Sequence, residues 1–71
     1  MPEIVDDFGF VWRPVPEPKT QILRYVSIAT LVNGEITVFW IYKHSGWQEK
    51  RRRVGELMKQ RDIATRFYGG R

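Results

Sequence analysis

The 71-residue chain contains no cysteine and only one histidine. Without cysteine, the chain can form neither a disulfide nor a thiolate metal site. The single histidine forms no cluster with metal-ligand spacing, and no glycine-rich phosphate loop is present. A chain of this length also has little room to enclose a substrate pocket. We therefore expect a non-enzymatic protein without a cofactor, and we assign no catalytic residue and no metal ligand.

Long apolar runs are also missing. The longest apolar stretch is interrupted at Asn33-Gly34-Glu35, so no segment reaches the roughly 20 apolar residues of a membrane-spanning helix. The N-terminus is acidic and lacks the apolar stretch that a signal peptide contains. These features predict a cytoplasmic protein (in the host cytoplasm if it is viral) with no membrane span and no small-molecule substrate.

Residues 20–44 are predicted to form a long β-hairpin at the centre of the fold. Asn33-Gly34 is the strongest short hairpin signal, because a type I′ turn needs positive φ at both central residues. The flanking segments are rich in β-branched and aromatic residues, which favour strands. A two-residue turn places Val32 opposite Glu35 and Leu31 opposite Ile36, and this sets the register of the whole hairpin.

Alternation along the strands sorts the hairpin's side chains onto two faces, and both faces are apolar. One face carries Val26, Ile28, Thr30, Thr37, Phe39 and Ile41, and the other carries Leu23, Tyr25, Ala29, Leu31, Ile36, Val38, Trp40 and Tyr42. A hairpin with one wet side would alternate between apolar and polar residues. We therefore expect the chain to cover one face and a second chain to cover the other, and we take the face of Val26, Ile28, Phe39 and Ile41 as the free one.

Residues 1–19 form an acidic, aromatic arm followed by a proline-rich spacer. The alternation in 8–12 predicts a short strand with Phe8, Phe10 and Trp12 on one side. Asp6 and Asp7 would point to opposite faces of an extended chain, so we interpret them as a solvated turn or strand start rather than as a catalytic pair. The prolines at 14, 16 and 18 favour an extended spacer leading to the hairpin.

Residues 45–69 are predicted to form one basic amphipathic helix. Ser45 and Gln48 match a capping box, and Gly69-Gly70 provide a stop. The predicted apolar side of the helix consists of Trp47, Val54, Leu57, Met58, Ala64 and Tyr68. Ile63 and Phe67 lie on the opposite side and indicate a helix break or a second buried contact. The predicted fold is a single α+β domain over 1–71: an antiparallel meander of two to three strands covered by a long C-terminal helix.

The formal net charge of +4 is concentrated in the C-terminal part of the chain. A basic helix face is the usual means of contacting phosphate without reading a base sequence. Our first functional prediction is therefore a small nucleic-acid-binding protein, for DNA or RNA, that acts as a homodimer. The predicted phosphate contacts are Lys50, Arg51, Arg52, Arg53, Lys59, Arg61 and Arg66.

The alternative is a protein-interaction or assembly subunit, such as a small viral or accessory modulator. It would bind its partner, or a second copy, through the free sheet face and the N-terminal arm. The predicted interface residues are Phe8, Phe10, Trp12, Val26, Ile28, Phe39, Ile41, Ile63 and Phe67.

Overall fold

The computed structural model describes residues 2–20 and 22–64, and at 22, 63 and 64 it describes the backbone alone. The fold is α+β, as predicted, and over these residues it has two antiparallel two-stranded sheets and one α-helix. In chain order the elements are β1 (Ile4–Val5), β2 (Val11–Trp12), a 3₁₀ turn (Ile22–Arg24), β3 (Tyr25–Val32), β4 (Glu35–Tyr42) and α1 (Trp47–Ala64). The predicted stop at Gly69-Gly70 lies outside the described residues.

The predicted hairpin and its register are confirmed. β3 and β4 pair from Val32 opposite Glu35 to Tyr25 opposite Tyr42. Asn33 and Gly34 have φ of 53° and 81°, which the two-residue turn requires and which asparagine and glycine adopt most readily.

The two faces of the hairpin contain the predicted residues except Leu23, which lies in the 3₁₀ turn before β3. The predicted choice of free face is wrong. The core face (Val26, Ile28, Thr30, Thr37, Phe39 and Ile41) packs under the helix and the N-terminal arm, and Ile28 and Ile41 are each only 3% exposed. They form one core cluster with Trp12, Phe39 and Val54. The described chain leaves most of the outer face (Tyr25, Ala29, Leu31, Ile36, Val38, Trp40 and Tyr42) open, and residues 15–20 of the spacer lie beside it at Tyr25.

The arm also differs from the single strand predicted at 8–12. β1 and β2 pair as a small hairpin, with Ile4 opposite Trp12. The chain reverses because the Asp6 carboxylate accepts hydrogen bonds from the backbone N–H groups of Phe8 and Phe10. Gly9 completes this turn with φ of 92°, a conformation that side chains other than glycine disfavour.

The proline-rich spacer joins the edge of the main sheet at one point. The Val15 N–H donates to the Trp40 carbonyl at 2.8 Å, which forms an isolated antiparallel bridge. The N-terminal segment is thus held at two places on the hairpin, because the Asp7 N–H donates to the Leu31 carbonyl on the other strand. Between these two anchors it crosses the core face, where Trp12 is buried.

The helix begins one residue later than the capping box predicts. Its first α-helical hydrogen bond runs from the Lys50 N–H to the Gly46 carbonyl, so Gly46 rather than Ser45 is the N-cap. Val54 is fully buried and Met58 packs against the core cluster, as the predicted apolar side of the helix requires. The helix therefore forms the layer over the core face.

Candidate interaction surfaces

Asp6 is the most heavily hydrogen-bonded side chain of the described structure, and it is buried. One carboxylate oxygen accepts from the backbone N–H groups of Phe8 at 3.0 Å and Phe10 at 2.9 Å. The other accepts from the Trp12 indole Nε1 and the Thr30 hydroxyl, both at 2.8 Å. Burial alone would raise the pKa of Asp6, but these hydrogen bonds together hold it below its ordinary value of 3.8. The prediction of a solvated Asp6 is wrong.

Asp7 binds a different part of the molecule. Its two carboxylate oxygens accept from the backbone N–H groups of Asn33 at 2.7 Å and Gly34 at 2.8 Å, and so hold the hairpin turn. The Arg61 guanidinium lies 3.6 Å from the same carboxylate. The two adjacent aspartates therefore fasten the arm to the hairpin at separate points, and both have structural roles.

The cations predicted to contact phosphate do not form a single surface. Arg52 lies on the outward side of the helix, where Glu49 and Glu56 both hold its guanidinium. The hydrogen bond from Arg52 keeps the pKa of Glu49 below its ordinary value of 4.5. Lys59 is exposed on the same side of the helix, and Arg66 lies outside the described residues. The outward side is therefore close to charge balance.

Of the other predicted helix cations, Arg61 faces Asp7, and Lys50, Arg51 and Arg53 lie beside aromatic rings. The Lys50 Nζ is 4.2 Å from the Trp12 ring centroid and donates to the Val11 carbonyl, and burial lowers its pKa. Arg53 lies over Phe10, whereas Arg51 lies over Trp47 on the other flank of the helix. These contacts hold the cations at separate places around the helix.

A cavity of about 430 Å³ opens beside β2, the end of β4 and the start of the helix. Its polar lining consists of Arg13, His44 and Lys50, and its apolar lining includes Trp12, Ile41 and Tyr42. Lys43 lies close to this region, with its Nζ 5.3 Å from the Trp47 ring centroid. Sequence reasoning missed Arg13 and His44 because the fold, not their spacing, brings them together. Arg13 and Lys50 thus bring two cations to one concave region.

The outer face carries three large apolar side chains that are exposed in the described chain. Ile36 is 71% exposed, Val38 62% and Tyr42 53%, and Leu23 at the adjoining 3₁₀ turn is 87% exposed. Tyr25 and Tyr42 meet edge to face at the open end, with ring centroids 5.8 Å apart. The face runs along eight residue pairs, about 26 Å at 3.3 Å per residue. Contiguous exposed apolar surface of this kind commonly marks an interaction site.

The residues predicted to contact a partner lie instead in the interior or against it. Trp12, Ile28, Phe39 and Ile41 belong to the buried cluster, and Phe8, Phe10 and Val26 pack against it. The side chain of Ile63 and all of Phe67 lie outside the described residues. The prediction chose the wrong face because alternation identifies two faces and does not say which one the arm will cover.

The chain gives no significant match to protein-family models, to curated proteins or to solved structures. Within the described ranges no helix is both long and apolar enough to cross a membrane. In the same ranges, no group of three or more histidine, aspartate or glutamate side chains could hold a metal ion. The function is therefore inferred from this chain's own surfaces.

Proposed function

We propose that the protein is a non-enzymatic protein-interaction module that binds another protein chain through its outer face. The observation that carries this proposal is the exposure of Ile36, Val38 and Tyr42 on one continuous sheet face. Burying a valine or isoleucine side chain contributes about 1.5–3 kcal/mol. Ile36 and Val38, each more than half exposed, therefore offer on the order of 2–4 kcal/mol to a chain that covers them.

The distribution of charge supports the same surface. The strand residues 25–42 carry only one formally charged side chain, Glu35, beside the turn. The clustered cations belong to the helix, which lies over the opposite, core face. The centre of an interface is typically depleted in charge and rich in aromatic residues, and the outer face with Tyr25, Trp40 and Tyr42 has that composition.

The proposal can be tested by photocrosslinking in the cells that naturally make the protein. A photoreactive phenylalanine analogue at Ile36 is expected to give a discrete protein adduct, whereas the same analogue at Lys59 on the helix is not. Val38→Asp in the Ile36-labelled protein should abolish the adduct, and Gln60→Asp on the helix should leave it intact. The proposal fails if the Ile36 and Lys59 positions give the same adducts, or if Val38→Asp has no effect.

A second candidate function is nucleic-acid binding, and the region around the cavity favours it. Lys43 and Arg51 flank the Trp47 ring, beside a cavity lined by Arg13, His44 and Lys50. Aromatic rings together with cations bind single strands through base stacking and phosphate contacts. Under this candidate, the proposed phosphate contacts lie near the start of the helix rather than along its outward side.

Titration of a fluorescent random-sequence duplex and of a single strand at several salt concentrations tests this candidate. Each phosphate contact contributes about 0.7–0.9 to the slope of log K against log salt. The combined Lys43→Ala and Arg51→Ala changes should therefore reduce that slope by about 1.4–1.8. Arg52→Ala is the matched control and should change the slope less, because two carboxylates already hold Arg52. Absence of binding at low salt would rule out this candidate.

The cytoplasm, or the host cytoplasm for a viral protein, is the compartment we propose for either activity. The cysteine-free composition supports it, since a chain without thiols depends on no oxidising compartment for its fold.

A further inference from the structure

The outer edge of β4 has backbone groups available for pairing. The Val15 N–H reaches the Trp40 carbonyl, so the backbone of Trp40 faces away from β3. The direction of the backbone N–H and C=O groups alternates from one residue to the next along a strand. Those of Ile36 and Val38 therefore point away from β3, as those of Trp40 do. Among the described residues the groups of Ile36 and Val38 have no hydrogen-bond partner. Val15 meets the edge only at Trp40, so no described segment lies along Ile36–Val38 and an added strand can pair there.

Within the described part of the chain, this stretch of the edge carries none of the usual protection. Natural edge strands are blunted by lysine, proline, bulges or a covering segment. From Ile36 to Tyr42 the strand contains no charged residue and no proline, and its pairing with β3 is continuous. The proline-rich spacer meets the strand only near its far end. The stretch at Ile36–Val38 therefore presents apolar side chains together with unpaired backbone groups.

We propose that this edge pairs with the same edge of a second copy of the chain, antiparallel, about a two-fold axis at Thr37. This inference rests on the proposed interaction function and adds a second copy at the edge of the outer face. Ile36 would lie opposite the second copy's Val38, and Val38 opposite the second copy's Ile36. Each of these two residue pairs exchanges two backbone hydrogen bonds, so the contact contains four backbone hydrogen bonds in total. The two outer faces then join into one four-stranded apolar surface.

A second copy fits this edge because the edge is complementary to itself. Under two-fold symmetry each copy supplies the same donors, acceptors and apolar side chains that it receives. The contact is also electrically neutral at its centre, while the helix cations lie in the layer over the core face. The pairing is short, and stable interfaces usually bury about 800 Å² on each partner. We therefore expect a dissociation constant in the micromolar range.

Sedimentation equilibrium of the full chain from about 1 to 200 µM tests the pairing in a range that brackets the expected constant. Val38→Pro removes the outward N–H and keeps an apolar side chain, so it should weaken dimerisation at least tenfold. Ala29→Pro is the matched control. The backbone groups of Ala29 point the same way as those of Leu31, whose carbonyl faces the opposite edge of the hairpin. This proline should leave the dissociation constant unchanged. A monomeric wild type, or equal weakening by both proline variants, overturns the inference.

Disulfide trapping gives a second test that does not depend on a proline in a strand. The natural chain has no cysteine, so a single introduced thiol can pair only with the same thiol of another copy. At Thr37, on the proposed axis, two Cα atoms would lie about 4.5–5.5 Å apart, which suits a disulfide. Thr37→Cys should form covalent dimers much faster than the control Ala29→Cys on the other edge. Faster oxidation of Ala29→Cys overturns the proposed register.

The outcomes also separate this inference from the proposed function. If the Ile36 photocrosslink leads to a different protein while the purified chain stays monomeric, the interaction function stands and the self-pairing is wrong. If the label at Ile36 gives no adduct that differs from those at Lys59, and Thr37→Cys does not crosslink, the interaction function and the self-pairing are both wrong.

Discussion

Replacing Asp6 with alanine is expected to unfold most of the protein at 25 °C. The substitution leaves the Trp12 indole N–H and the Thr30 hydroxyl in the interior without their acceptor. It also removes the acceptor for the backbone N–H groups that turn the arm. An unsatisfied buried polar group costs about 1–3 kcal/mol, so we expect a loss of about 3–5 kcal/mol. A domain of this size rarely has more than about 3–5 kcal/mol of stability in total.

Urea unfolding followed by circular dichroism and tryptophan fluorescence measures this effect. Asp6→Asn should be intermediate, because its amide carbonyl still accepts while its NH₂ group faces donors. Glu3→Gln is the control. It removes an exposed ion pair with Arg13 at 2.8 Å and should change the unfolding free energy by less than about 0.5 kcal/mol. Equal unfolding midpoints for Asp6→Ala and Glu3→Gln would refute the structural role of Asp6.

The same contacts predict how stability depends on acid. Since the folded-state pKa of Asp6 is lower than its ordinary value of 3.8, its contribution is fully present well above pH 3.8. It declines as the pH falls through 3.8 and is lost once the pH passes below the folded-state pKa. The unfolding free energy of the wild type should therefore fall across this range. Asp6→Asn has no carboxyl group to titrate there and should show a shallower decline.

Local signals were sufficient to predict the central hairpin. Asn33-Gly34 sets the turn, and strict alternation then assigns every strand residue to a face; the structure agrees at each pair. The helix follows equally local rules, and its start differs from the prediction by a single residue. These elements depend on neighbours close in the sequence, which is why sequence reasoning found them.

The covered face could not be predicted in this way, because it depends on contacts between distant residues. Asp6 reaches Thr30 across 24 positions, and this contact places Trp12 on the core face. Two signals in the sequence indicated which face is covered. A buried tryptophan usually needs an acceptor for its N–H, and Thr30 is a polar residue on an otherwise apolar face. Neither signal identifies Asp6 from spacing alone.

The basic helix shows a similar limit. Spacing predicts that Arg52, Lys59 and Arg66 share one side of the helix, but the same side also carries Glu49 and Glu56. In the structure both glutamates hold Arg52. The net charge of a segment thus overstates the charge that a partner would meet, because side-chain pairing decides which cations remain available.

Phe39 and Val38 are neighbours in β4 that lie on opposite faces of the sheet. Aspartate at Phe39 should therefore unfold the protein, whereas aspartate at Val38 should leave it folded. Phe39 is 8% exposed and its ring centroid lies 5.3 Å from that of Trp12. Phe39→Asp removes this packing and buries a charge without a partner, so we expect a loss of at least about 4 kcal/mol and an unfolded chain. Val38→Asp places its carboxylate on the 62%-exposed outer face and should change stability by less than about 1 kcal/mol.

Circular dichroism and thermal unfolding of the two variants, combined with the photocrosslinking and sedimentation measurements, separate folding from binding. Val38→Asp should keep the wild-type spectrum and a similar melting temperature while losing both the crosslinked adduct and the dimer. Phe39→Asp should lose the folded spectrum itself. If Phe39→Asp folds normally and Val38→Asp does not, the two faces are reversed. The apolar surface available to a partner would then be the one we assign to the core.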